Sequence, residues 1–262
     1  MILTEKNYYS QETNREYLSV SQYKSFRKCE AAAMAELRGE WNRPKTKALL
    51  VGSYVDAWFE GTLPEFCREN PEISKKDGTL KADFIQAGEI IERVQRDRLF
   101  MEYMSGEKQK IFTAELFGAK WKIKIDSLIS DKIVDLKVMR SMERIMGKSF
   151  VEYWGYDLQM AIYAAVYKAV TGKDLNTYLA VVTKQTPSDL ELIEIPKWRR
   201  EELLGEVERN IPRILAIKTG EIQPERCGIC EYCRSTKTLT EPIDFELVGL
   251  SNAEKKAIFG EL

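Results

Sequence analysis

Hydrophobic and polar positions switch period four times along this chain, and the switches outline its elements. Residues 19–38, SVSQYKSFRKCEAAAMAELR, open on serines suited to a helix N-cap and continue as an alanine-rich helix. Residues 47–60, KALLVGSYVDAWFE, predict a strongly apolar second helix, and 83–104 a charged third one. Between them, 70–82 reads as loop, with Pro71 and the Asp77-Gly78 pair. The period then shortens. IFTAELF (111–117), KWKIKIDSLI (120–129) and KIVDLKV (132–138) predict three consecutive strands, the last two a hairpin turning at Ser130-Asp131. In the middle run Trp121, Ile123 and Ile125 alternate with Lys120, Lys122, Lys124 and Asp126. A helix over 156–170, ended by Gly172, is followed by strands at 177–184 and 190–195 and a helix at 197–218 that leads into a cysteine-rich tail. Helices, a strand meander, a helix and further strands predict one α/β domain spanning 1–262, with a mixed sheet flanked by helices.

Composition narrows the function classes more than the fold. The chain has 262 residues, 44% hydrophobic and 31% charged, which is ordinary for a globular protein. It contains no apolar run long enough to span a bilayer, and its polar N-terminus lacks a signal-like apolar region, so the expected location is the cytoplasm, with no membrane partner. Net charge is −1, so no global basic field announces nucleic acid. Locally the balance differs: from Gly118 to Lys148 there are eight basic residues against four acidic ones. There is no histidine. That excludes Ser-His-Asp and Cys-His mechanisms and imidazole-ligated zinc, and leaves carboxylates, lysine, tyrosine, cysteine or bound metal to carry any chemistry.

The run KIVDLKV raises the central question, because it places Asp135 and Lys137 on one face of an apolar strand. A surface ion pair is one reading. The other is a catalytic pair at a cleft. Asp126 lies in the preceding strand, and pairing around Ser130-Asp131 brings it to the same sheet edge as Asp135 and Lys137. Two carboxylates so close repel unless a cation neutralises them, and Mg²⁺ or Mn²⁺ is the natural oxygen-liganded choice. On the apolar helix 47–60, Gly52 and Asp56 stand one turn apart; Gly52 lets another backbone approach, and Asp56 needs a partner or a metal. Gln159 and Tyr163 stand one turn apart on 156–170. The residue Glu115 sits on the first strand.

In order and spacing, G-x3-D (Gly52, Asp56), Glu115, D-x8-D-x-K (Asp126, Asp135, Lys137) and Q-x3-Y (Gln159, Tyr163) resemble the PD-(D/E)XK nuclease superfamily. The likeness is closest to its RecB-type exonucleases, both prophage exodeoxyribonuclease VIII-like proteins and CRISPR-associated spacer-acquisition nucleases. The resemblance implies a restriction-endonuclease-like core. It implies a metal held by Asp56, Asp126 and Asp135, catalysis assisted by Lys137, and a supporting role for Gln159, Tyr163 and Glu115. Asp56 stands where relatives often carry histidine, and Asp135 where glutamate is common. The implied function is metal-dependent exonuclease action on DNA ends for phage-type recombination, alongside a single-strand annealing protein and within a homo-oligomer. A non-catalytic nuclease-fold module binding DNA or protein, and a CRISPR-adaptation nuclease, are the alternatives. Lys120, Lys122, Lys124, Arg140 and Arg144 are candidates for DNA-backbone contacts.

ERCGICEYC gives C-x2-C-x2-C at Cys227, Cys230 and Cys233, too tight for casual surface cysteines. By the same resemblance Cys29 is the fourth ligand of a 4Fe-4S cluster, with zinc as the alternative. The segment from about 224 to 262 is then tied back to the N-terminal helix. Cys67 reads as a lone semi-buried thiol.

Overall fold

The computed structural model describes residues 3–42 and 46–259; the last three residues of the expected tail lie outside that range. Helices α1 (Gln11–Glu16), α2 (Val20–Lys28), α3 (Glu30–Arg38), α4 (Lys47–Glu60), α5 (Leu63–Glu69), α6 (Ala82–Gln95) and α7 (Arg98–Tyr103) come first. Strands β1 (Lys110–Leu116), β2 (Ala119–Ile125), β3 (Ser127–Ile129) and β4 (Lys132–Met139) follow. The chain continues through α8 (Phe150–Trp154), α9 (Tyr156–Thr171), β5 (Asn176–Thr183), β6 (Leu190–Glu194), α10 (Lys197–Thr219), α11 (Glu231–Ser235) and α12 (Asn252–Phe259). The mixed α/β class read from the sequence holds.

The elements depart from the hydrophobic pattern at Cys29, Asp97 and Asp126. The helix expected over 19–38 is two helices, because Cys29 takes an extended backbone (φ −165°, ψ 107°) between them. The helix expected over 83–104 breaks before Asp97, whose carboxylate accepts from the Phe100 N–H and so starts α7 as its N-cap. The run 120–129 splits at Asp126. Its Oδ2 accepts the Leu136 N–H at 2.9 Å, so the side chain takes a backbone donor of the neighbouring strand. The three-strand meander is therefore divided between a two-stranded sheet, β1-β2, and a four-stranded sheet in the order β3-β4-β5-β6.

The described chain forms two compact units. One comprises the described residues of 44–115 and 122–206. In its sheet β3 and β4 are antiparallel, β4 and β5 parallel, and β5 and β6 antiparallel. Val134 and Leu136 of β4, with Ala180 and Val182 of β5, form one apolar face and pack with Val51 and Val55 of α4 and Ala87, Ile90 and Ile91 of α6. Burying a side chain of this size contributes roughly 1.5–3 kcal/mol, so this face fixes the register of β4. Asp135 and Lys137 then necessarily point to the opposite face.

The other unit comprises the described residues of 1–43, 116–121 and 207–262. Leu18 N–H donates to the Lys120 carbonyl at 2.7 Å, and the Tyr23 and Trp121 rings lie 6.0 Å apart. The Asn210 amide donates to the Tyr23 hydroxyl, tying α10 to α2. Among the described residues no helix is long and apolar enough to cross a membrane.

Candidate active site and metal centre

Three carboxylates and an ammonium converge where β2 breaks into β3. The antiparallel register of β3 and β4 runs Ser127↔Val134, so Asp126, one residue earlier, falls beside Asp135. Asp135 is 2% exposed. Its Oδ1 accepts from Gln159 Nε2 at 2.6 Å, and its Oδ2 faces the Lys137 ammonium. Lys137 Nζ also stands 5.0 Å from the centre of the Tyr156 ring. Asp56 approaches from α4, a helix closed by the Thr46 N-cap and by Gly61, whose left-handed conformation (φ 76°) ends it.

The electrostatics follow from this crowding. Burial, then the charge of Asp126, hold the Asp56 carboxyl well above its usual range despite Lys137. Burial and Asp135 push Asp126 up to about 7, against the pull of Lys137 and the Leu136 N–H. Burial alone would lower Lys137, but Asp135 and Asp126 outweigh it and hold the ammonium above its ordinary value. Ionised together, the three carboxylates would crowd like charge around Lys137, a cost that held protons relieve in the metal-free protein and that a bound divalent cation would also remove.

Several contributors were not visible as motif residues. Glu60, one turn beyond Asp56 on α4, adds to the field on Asp56. Residues 106–109 lie along β3, since Glu107 and Leu128 exchange both backbone hydrogen bonds. Only glycine fits at 106, because a Cβ there would meet the Leu128 carbonyl at 2.5 Å. That segment delivers Lys108, which burial pulls below its ordinary value while Asp126 and Glu60 oppose the shift. It also delivers Gln109, held at φ 52°, whose Nε2 donates to Asp126 Oδ1 at 3.3 Å. Among the described residues the Gln109 Oε1 is buried with no hydrogen-bond partner. Tyr156 shares a helix stripe with Gln159 and Tyr163 at i, i+3 and i+7, a spacing that could have flagged it.

The remaining candidates divide. Tyr163 is buried on α9, one turn after Gln159. Glu115 is exposed on β1, and the charges that dominate are Asp126, Lys137, Asp135 and Glu60 at Asp56, and Asp135, Lys137 and Lys124 at Asp126, not Glu115. Gly52 does not serve close backbone packing: among the described residues no atom comes within 4 Å of a Cβ built there. Lys122 is not on an outer face. It is 1% exposed, between Trp121 and Ile123 at 0%, because both faces of β2 are covered at this point. Lys120 is exposed and pairs with Glu16 at 3.4 Å; Lys124 is half-buried and eases Asp126; Arg140 and Arg144 are exposed, with Arg144 Nε donating to the Gly147 carbonyl.

The four predicted thiols meet in the other unit. The sulfurs of Cys29, Cys227, Cys230 and Cys233 all lie within 4.8 Å of one another. Cys29 and Cys233 are buried, and Cys227 and Cys230 are partly so. This set can hold a metal ion. Cys67 is half-buried and stands apart, packed beside the apolar face of α4 and α6.

The comparisons agree with this architecture. The model of the PDDEXK-like domain of unknown function (DUF3799) matches residues 19–236, so the chain belongs to that family and, with it, to the PD-(D/E)XK nuclease superfamily. Nucleases of this superfamily generally use divalent metal ions. The chain is similar to a protein from Eubacterium rectale whose crystal structure is named "Putative exonuclease". The two are 49% identical, the match covers 95% of this chain and 99% of that one, and the TM-score is 0.91. A second solved structure, of the protein SSO0001, aligns over 73% of this chain and 85% of that one at 15% identity with a TM-score of 0.30. No curated protein matches.

Proposed function

We propose that the protein is a divalent-metal-dependent exonuclease that hydrolyses phosphodiester bonds from the ends of linear DNA. The observation that carries this reading is the meeting of Asp56, Asp126 and Asp135 with Lys137 on the polar face of β4. The donor set suits a hard cation: carboxylate oxygens only, in excess over the local ammonium, with Asp126 and Asp56 raised as though awaiting a positive charge. Asp56, Asp126 and Asp135 would hold Mg²⁺ or Mn²⁺, which when bound polarises the phosphate and makes water a better nucleophile.

The chain's own residues do the rest. Lys137, held protonated, is not a general base. It orients the attacking water and offsets the negative charge that grows on the phosphate oxygens as the water oxygen bonds to phosphorus and the ester P–O bond breaks. Gln159 fixes the Asp135 carboxylate by its 2.6 Å hydrogen bond, and Gln109 does the same for Asp126. Tyr156 backs the Lys137 ammonium with its ring. Tyr163 braces α9 behind Gln159. The open space at Gly52 leaves room for a substrate strand. Lys124, Arg140 and Arg144 offer sequence-independent backbone contacts; buried Lys122 does not. Glu115 has the weakest support of the residues expected at the site.

The similarity to the Eubacterium rectale protein supports exonuclease action. Processing of DNA ends for recombination, together with an annealing protein and in an oligomer, rests on family resemblance. One nuclease domain, with its cysteine-rich tail held to Cys29, is the organisation this reading uses. The test is digestion of end-labelled linear DNA and covalently closed circles with and without Mg²⁺. Loss of label from linear DNA alone, only with metal, is expected. Cutting of closed circles makes the enzyme an endonuclease, and binding without cutting makes it a non-catalytic module.

A further inference from the structure

We infer that the four-cysteine site holds one tetrahedral Zn²⁺ and not the iron–sulfur cube that the family resemblance implies. Size decides, independently of the carboxylate site. Cys29 and Cys233 sulfurs are 3.6 Å apart, Cys227 and Cys233 sulfurs 3.9 Å, and no pair in the set exceeds 4.8 Å. One ion bonded to four thiolates at about 2.3 Å holds those sulfurs about 3.8 Å apart, along the edges of a tetrahedron. In a 4Fe-4S cube each thiolate is bonded to a different iron, so every sulfur pair is separated by two Fe–S bonds and the distance between the irons as well. The four sulfurs here enclose room for one ion.

The surroundings point the same way. Three backbone N–H groups aim at the sulfurs: Cys227 at Cys29 (3.5 Å), Cys230 at Cys227 (3.3 Å) and Cys233 at Cys230 (3.4 Å). Donors of this kind orient thiolates and temper the charge of an all-sulfur shell. No two sulfurs are singled out as a disulfide pair, since each short distance is far beyond the bonded length of about 2.05 Å. All-thiolate tetrahedral donors select zinc or iron, not Mg²⁺ or Mn²⁺, so the two metal sites of this protein would not compete for ions. Zinc takes closed four-cysteine sites as structural centres. This one closes the long loop between Cys29 and Cys227, with Ala31 and Ala32 of α3 and Tyr232 of α11 packed around it. The Trp41 and Tyr232 rings meet edge to face at 5.7 Å, and Arg226 lies over Tyr232 while donating to the Cys233 carbonyl.

Anaerobic purification from cells supplied with both iron and zinc, followed by metal and acid-labile sulfide analysis, tests the inference. The expected product is colourless, with one zinc per chain, no iron and no sulfide. Cys29→Ser should lose that zinc while Cys67→Ser keeps it. Should Cys29→Ser fail to fold, the unaltered protein decides: Co²⁺ exchanged for the bound ion should give the intense visible bands of tetrahedral cobalt thiolate. A brown protein with four irons and sulfide, a red one with a single iron, or a folded metal-free protein whose four thiols all react freely would each overturn it.

Discussion

The carboxylate site and the cysteine site solve opposite problems. At the first, like charges are forced together and the fold restrains them: Gln159 grips Asp135, the Leu136 N–H and Gln109 grip Asp126, and Lys137 sits between. The apolar face of β4 and the caps of α4 supply that restraint. At the second, short segments gather around a point: a single extended residue between α2 and α3, a C-x2-C-x2-C loop and the small helix α11. On the proposed reading an ion would organise the chain there, whereas at the carboxylates the chain would organise the ion. Neutralising a carboxylate of the first site should therefore remove activity and leave stability near or above its starting value. Damage to the second should remove stability first.

The largest expected contrast is Lys137→Ala. Losing the ammonium that faces developing charge should lower cleavage about 10²- to 10³-fold, measured by single-turnover hydrolysis, while zinc content is unchanged. Next comes Cys29→Ser, which should lose its metal and about 3 kcal/mol of stability, a fall in Tm of roughly 10 °C by calorimetry. Third, Gln109→Ala should weaken Mg²⁺ activation about 10- to 100-fold in the metal concentration needed, with the Tm nearly constant and partial rescue by Gln109→Asn.

A fourth contrast is in pH. Unfolded, Asp126 titrates near 3.9; folded and without Mg²⁺ it holds its proton up to about 7. Across that window the folded state binds more protons than the unfolded one, so stability of the Mg²⁺-free protein should fall as pH rises from about 4 to 7. Asp126→Asn should flatten the slope, and saturating Mg²⁺ should suppress it in the unaltered protein. Thermal melts across pH read both. The smallest effect is Gly52→Ala, which should raise stability by about 1 kcal/mol in a helix with open space at that point, yet slow cleavage if a DNA strand passes there.

The two sites were legible to different depths for physical reasons. Alternation in KIVDLKV placed Asp135 and Lys137 on one face because a strand has a strict two-residue period, and the hairpin turn then fixed Asp126 beside them. The C-x2-C-x2-C spacing announced itself locally, and the structure gathers Cys29 to it. Strand and helix breaks were hidden, since Cys29, Asp97 and Asp126 interrupt otherwise continuous patterns through one backbone turn or one side-chain hydrogen bond each. Lys122 misled because alternation presumes one open face, and β2 has none at that position. Gln109 and Lys108 left no motif. They reach the site only because Gly106 lets their segment lie against β3, a long-range contact that no local period encodes.

The most direct measurement is Mg²⁺-dependent degradation of linear DNA by the unaltered protein and by Asp135→Asn, both shown by calorimetry to be folded. Degradation by the unaltered protein that stops when Mg²⁺ is withheld, and its absence in Asp135→Asn at every Mg²⁺ concentration, is the expected result. Equal rates for the two proteins, or undiminished cutting without Mg²⁺, would contradict the assignment of Asp56, Asp126, Asp135 and Lys137 as the catalytic centre.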